Sequence, residues 1–295
     1  MFRTTSLIAA CAATAAFSAN AFIIDDFEVD SSANYTVVDT GSGTPLGDGS
    51  PDSAATFAFD YSTLGIPEAP NSAPGTFGGL RMQSNETGTD ANPSDPITAF
   101  HNTVINQVAY TVTVDIYMEV DPLASGTTEF ANIGVGSDAS EFNSIFLPIA
   151  GDGQFLAMTG DGGSSSDYRH FVEGTPVNTG DLSYLNSDNT TNATGDTYQA
   201  IFPGGDFPGS PGNRWTTLTI DVNAQLVTYS LDGVPIIQTL REDASGFVSL
   251  GYADVFSSVG PHSVIYDNFS VIPEPASLAL LAAGLGFAGL RRRSA

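Results

Sequence analysis

Asp115, Tyr117 and Glu119 alternate within the stretch Tyr110–Asp121 and are the residues whose types and spacing suit a polyhydroxylated ligand. Carboxylates accept hydrogen bonds from hydroxyl groups, and an aromatic ring offers an apolar face to a sugar. Tyr168, Tyr184, Tyr198 and Trp215 are further candidate platforms. Two carboxylates flanking a glycosidic bond would make a hydrolase. A second group, Asp25, Asp26 and Glu28 with Asp267 and Asn268, offers the oxygen ligands that calcium takes six to eight at a time. It closes only if the first and last strands lie side by side. The similar tetrapeptides Ile24-Asp25-Asp26-Phe27 and Tyr266-Asp267-Asn268-Phe269 suggest that they do. The three histidines, His101, His170 and His262, stand far apart and lack metal-ligand spacing. No G-x-S-x-G nucleophile motif occurs, and the one cysteine, Cys11, lies near the N-terminus. No catalytic residue is therefore assigned. The chain reads as non-enzymatic, with a glycoside hydrolase or lyase as the alternative.

The elements that must position these residues are strands. Along Tyr110–Asp121, Tyr110, Val112, Val114, Ile116, Met118 and Val120 share one face. Thr111, Thr113, Asp115, Tyr117, Glu119 and Asp121 share the other. Twelve residues of strict alternation predict one buried face and one wet face. Trp215–Val222 and Gln225–Leu231 form a second alternating pair, and Asp232-Gly233 is a hairpin turn leading into Val234–Gln238. Shorter candidates are Phe22–Glu28, a first strand leading into an acidic turn, and Tyr35–Val38, Ala55–Tyr61, Phe77–Gln83, Ala131–Val135, Ser144–Ile149, Gln154–Met158, Phe247–Tyr252 and Val264–Ile272. Residues 175–197 read as a polar excursion. About a dozen short strands separated by Gly, Pro, Asn and Asp predict an all-β, antiparallel sandwich of jelly-roll type.

Charge narrows the partners. Eight basic residues, all arginine, stand against thirty-three acidic ones, a net charge of −25. Nucleic acid and anionic lipid repel such a surface, whereas neutral polymers and divalent cations are compatible with it.

Both ends carry targeting signals. Arg3, the apolar Leu7–Phe17 and the A-x-A site Ala19-Asn20-Ala21 predict a signal peptide over 1–21. A lipobox reading of Ile8-Ala9-Ala10-Cys11 would leave a signal of only ten residues. At the other end stand Pro273, Glu274 and Pro275, then Ala276–Leu290 with Ser277 its one polar residue, then Arg291, Arg292 and Arg293. As a helix the apolar run would reach roughly 22 Å, short of a hydrocarbon core of about 30 Å. Terminal arginines extend it by snorkelling to headgroups and hold that side in the cytoplasm. These three parts, in this order, resemble the PEP-CTERM sorting signal of exported proteins of Gram-negative bacteria. The resemblance implies a precursor held in the inner membrane by 276–290 and cleaved near Pro-Glu-Pro by an exosortase-type protease. It further implies display at the cell surface or in the extracellular matrix, in association with exopolysaccharide and biofilm.

The Trp215–Ile237 meander and the closing segment Tyr266–Val271 are similar to concanavalin A-like, or laminin-G-like, sandwiches, which implies a glycan-binding scaffold. Sandwich glucanases carry E-x-D with a third carboxylate beyond it. Here Glu119-Val120-Asp121 is followed by Pro122, Leu123 and Ala124, so the third is missing. The organisation expected is a signal peptide (1–21), a sandwich domain (22–272) and a sorting signal (273–295). Mass spectrometry of the exported protein should find a chain beginning at Phe22 and lacking Ala276–Leu290; retention of that segment would contradict the reading.

Overall fold

The computed structural model describes residues 22–42, 52–85, 94–121, 129–146, 149–160, 167–185, 197–242, 244–255 and 262–274. Ala19 and Ala21 of the signal-cleavage site, Pro275, the apolar segment and Arg291–Arg293 lie outside the described residues. Residues Ala21–Pro273 make one compact unit.

Two antiparallel sheets build that unit. The first is centred on β6 (Tyr110–Glu119), the strand with the strongest alternation. Its neighbours are β11 (Trp215–Val222) and β15 (Ser263–Pro273). Beyond β11 lie β12 (Leu226–Leu231) and β13 (Val234–Leu240), and beyond β15 lie β4 (Gly78–Ser84) and β3 (Ser53–Asp60). The short β1 (Ile23–Asp25) also pairs with β15, matching Ile23 to Val271, so the first and last strands do lie side by side. The second sheet runs β10 (Thr175–Pro176), β9 (Tyr168–Val172), β8 (Gln154–Thr159), β7 (Glu129–Ser137), β14 (Phe247–Asp254), β5 (Ile97–His101), β2 (Tyr35–Asp39).

The core lies between the sheets. Val112, Val114 and Ile116 of β6 meet Ile133 of β7 and Leu250 of β14 in one apolar cluster. Two buried tyrosines reach out from the first sheet while satisfying their hydroxyls. Tyr266 of β15 donates to the Gly251 carbonyl at 2.6 Å, and Tyr110 of β6 donates to the Ala244 carbonyl at 2.7 Å. Burying an aromatic ring with a partnered hydroxyl gains apolar area without leaving a polar atom unpaired.

The central strands of the second sheet, β7, β8 and β14, are covered on both faces, which explains why β7 and β8 lack alternation. On their outer side Phe155 and Phe171 stack at 4.6 Å, and Ile145 packs over them. The Ser144–Ile149 segment, expected as a strand, contributes only an isolated bridge from Ser144 to Ala150 among the described residues. Strands β5 and β9 were not legible as strands, because a five-residue run leaves too little length for alternation to stand out. A five-residue helix, Thr197–Ile201, follows the polar excursion. The Asp232-Gly233 turn is as expected: both residues have positive φ, 47° and 78°, the type I′ geometry that fits strand twist.

Ile116→Ala should lower unfolding free energy by about 2–5 kcal/mol in a urea titration, since the site is closed on every side. Leu182→Ala, at a side chain 96% exposed, should change it by less than about 0.5 kcal/mol.

Candidate functional site

The outer face of β6 is not wet. The connection from β3 to β4 begins with a short 3-10 turn, Tyr61–Leu64, and folds back over that face. Two carboxylates hold it there. Asp115 and Asp267 are register partners on β6 and β15, and both are buried. Asp115 accepts four hydrogen bonds: from the Asn71 backbone N–H (3.1 Å) and side-chain amide (2.8 Å), from Thr217 Oγ1 (2.6 Å) and from Asn268 Nδ2 (3.0 Å). Asp267 accepts from the Tyr61 hydroxyl (3.0 Å), Ser72 Oγ (2.8 Å) and the Asn268 backbone N–H (2.6 Å). A bulge in β15 makes this possible. Asn268, at φ 51°, leaves the ladder and turns its amide into the cluster. Burial, with the nearby Asp115 charge, pushes the Asp267 carboxyl up to about 6, against the pull of its three hydrogen bonds.

The loop also carries its own apolar cluster. Tyr61, Ile66, Tyr117 and Ile265 are buried together, with Phe59, Phe77 and Trp215 packed at the edge. The Trp215 indole donates to the Pro67 carbonyl at 2.7 Å. Tyr117 is thus only 8% exposed, a correction to the solvent-facing position that alternation implied. Alternation identifies the two faces, and a covering loop then decides how much of the outer one meets water. Tyr168, Tyr184 and Tyr198 are also buried, packed against one another, and offer no platform.

Where the covering loop ends, a cleft of about 500 Å³ opens. Leu64 and Ile66 form one wall, Tyr117 and Glu119 the floor, and Asp206 and Asn213 the far rim, with Asp121 at the strand's end. The far rim is held closely. Asn213 Nδ2 donates to the Val120 carbonyl (2.9 Å) and to Asp206 (3.1 Å), and a Cβ on the preceding Gly212 would stand 2.0 Å from the Gly160 carbonyl. Glu119 is fixed from the opposite side by Arg81 (3.1 Å) and Ser263 Oγ (2.7 Å). The Tyr117 hydroxyl has no hydrogen-bond partner among the described residues. Burial, and then the charges of Glu119 and Asp206, push it up to about 12, so it remains a protonated donor. Tyr117 and Glu119 therefore share one cleft, whereas Asp115 sits beneath the covering loop and serves it.

The expected calcium group does not assemble. No three of the Asp25, Asp26, Glu28 and Asp267 carboxylates come within ligand distance of one another. Each is used separately by its own nearby donors. Asp25 takes the Phe27 N–H (2.9 Å) and the Tyr35 hydroxyl (3.0 Å), Asp26 takes the Glu28 N–H (3.3 Å), and Glu28 takes the Gly78 N–H (2.6 Å). Asn268, the fifth candidate, spends its amide on Ser72 and Asp115.

A different cluster was invisible in the sequence. Glu129 and Asp254 are register partners at the ends of β7 and β14, and His262 enters from the start of β15. All three are buried, with ligand atoms within 4.8 Å of one another. His262 Nδ1 lies 2.8 Å from Glu129 Oε1 and 3.8 Å from Asp254 Oδ2. Burial alone would depress the imidazole, but the two carboxylates overcome it and hold it up at about 10. Spacings of 125 and 8 residues give no local signal; only the pairing of the strands brings the groups together.

Two outcomes test the Asp115–Asp267 network. Asp115→Asn places an amide donor among four donors and should cost about 2–4 kcal/mol in chemical denaturation. Asp267 holds its proton more tightly folded than unfolded. Its stabilising contribution is complete below about pH 4 and is lost as pH rises through about 6. The difference in stability between the native protein and Asp267→Asn should therefore change between pH 4 and 6 and be flat above 7.

Residues 271–293 match the PEP-CTERM protein-sorting motif. The chain thus carries the signal of an exported precursor sorted by an exosortase. No curated protein matches the sequence. Among solved structures, the chain is similar to the potassium-bound carbohydrate recognition domain of Emp46p, with 9% identity, TM-score 0.46, and coverage of 83% of this chain and 93% of that one. It is similar to the Ca²⁺/Man-bound exoplasmic/lumenal domain of VIP36 at 10% identity and TM-score 0.44, covering 82% and 84%. It is also similar to a galectin-like protein of unknown function from Bacillus subtilis at 8% identity and TM-score 0.41, covering 87% and 97%.

Proposed function

We propose that this protein is a non-enzymatic, glycan-associating component of the cell surface or matrix, released there by exosortase cleavage and engaging exopolysaccharide through the cleft beside Tyr117. One observation carries the reading. An unpartnered phenol donor and the carboxylates of Glu119 and Asp206 face a single cleft with an apolar wall of Leu64 and Ile66. Sugars present alternating hydroxyls and an apolar C–H face, and this mixture of acceptors, donor and aliphatic surface complements both. The volume suits one or two sugar rings. An acidic surface favours a neutral polysaccharide over an acidic one.

The hydrolase alternative needs a raised carboxylic acid and a second carboxylate at one exposed site. Asp267 has the raised carboxyl, but it lies under the covering loop with Asp115, and Glu119 is tied to Arg81. That separation supports binding over turnover.

The purified protein should bind a subset of neutral glycans on an array. Tyr117→Phe, which keeps the packed ring and removes only the hydroxyl, should weaken that binding roughly two- to tenfold. Asp206→Ala should weaken it further. Release of reducing ends that disappears in Glu119→Gln would establish the hydrolase instead. Binding equal in all three proteins would move the site elsewhere.

A further inference from the structure

We propose that Glu129, Asp254 and His262 form a binding site for one divalent transition-metal ion, of which zinc is the member tested, and that the ion ties the two sheets together. Glu129 and Asp254 belong to the second sheet. His262 precedes Ser263, which pairs with Glu119 in the first. An ion held by all three bridges the layers at the end of the sandwich where the cleft opens.

The geometry fits a small ion. Zinc bonds of about 2.0–2.2 Å in tetrahedral array place neighbouring ligand atoms roughly 3.4 Å apart. The observed separations from Nδ1 are 2.8 and 3.8 Å, and all three ligand atoms lie within 4.8 Å of one another, so side-chain adjustments of about an ångström bring them to that spacing. The donor set of one imidazole and two carboxylates suits a first-row transition metal. Calcium prefers oxygen alone and a larger number of ligands. Two buried carboxylates, with the imidazole giving up its proton to the ion, carry a charge that a divalent ion cancels.

The histidine supplies the independent observation. Its side chain is 1% exposed, Nδ1 lies 2.8 Å from Glu129 and 3.8 Å from Asp254, and Nε2 has no hydrogen-bond partner among the described residues. A buried imidazole aimed between two carboxylates is a ligand geometry as much as an ion-pair geometry. Proton and metal are alternative occupants of the same nitrogen.

The test uses the purified, chelator-treated protein. Zinc titrated calorimetrically should bind at one equivalent and raise the thermal midpoint, and both effects should be lost in His262→Gln while Asp26→Asn, at an exposed acid, keeps them. Cobalt should give visible d–d bands of a low-coordinate site with nitrogen ligation, a readout on the unaltered protein that stands if His262→Gln does not fold. No zinc binding, zinc binding undiminished in a folded His262→Gln, absence of the cobalt bands, or binding of calcium alone would each overturn the site.

Discussion

Two carboxylates buried beneath a loop set the character of this sandwich. Asp115 and Asp267 face each other across β6 and β15, where like charges ordinarily repel. Seven hydrogen bonds from Asn71, Thr217, Asn268, Tyr61 and Ser72 make the arrangement tenable. Most of those donors belong to the connection between β3 and β4. The pair is thus less a site than an anchor: the loop closes because it satisfies the carboxylates, and the carboxylates stay buried because the loop closes. Such mutual dependence makes the network stiff and makes partial loss costly.

The cleft is a consequence of that closure. Once the loop covers Tyr117 and Trp215, the strip around Glu119 and Asp121 at one end of the face stays open, walled by Leu64 and Ile66. Anchoring positions the wall, and the Asn213 contacts position the opposite rim. Both walls are therefore set by polar bonds within the fold, so the cleft exists before any ligand arrives. A preformed cleft loses little freedom on binding, in keeping with the binding role proposed for it.

The sorting motif overlaps the folded unit. Its match begins at Val271, and Pro273 still pairs with Tyr110 at the end of β15. Proline is tolerated at that terminal position because it need not donate to the ladder. The strand that carries Asp267 and Asn268, and that follows His262, therefore runs directly into the motif, leaving no spacer between fold and signal.

Sequence by itself determined the class of fold, the two faces of β6, the Asp-Gly hairpin, the pairing of the first and last strands and the sorting signal. Each follows from local periodicity, turn chemistry or a contiguous motif. Tertiary structure alone decided that the outer face of β6 is covered at Asp115 and Tyr117, because the covering segment lies some forty residues away and its polar residues look like any surface loop. It also separated Asp115 from Tyr117 and Glu119, three residues that share a face but not an environment. It dispersed the acids at Asp25, Asp26 and Glu28 by giving each a nearby donor. It assembled Glu129, Asp254 and His262 from three strands whose spacing carries no pattern. Burial and convergence are properties of side chains brought together by distant pairing, and a one-dimensional pattern records only which way each side chain points.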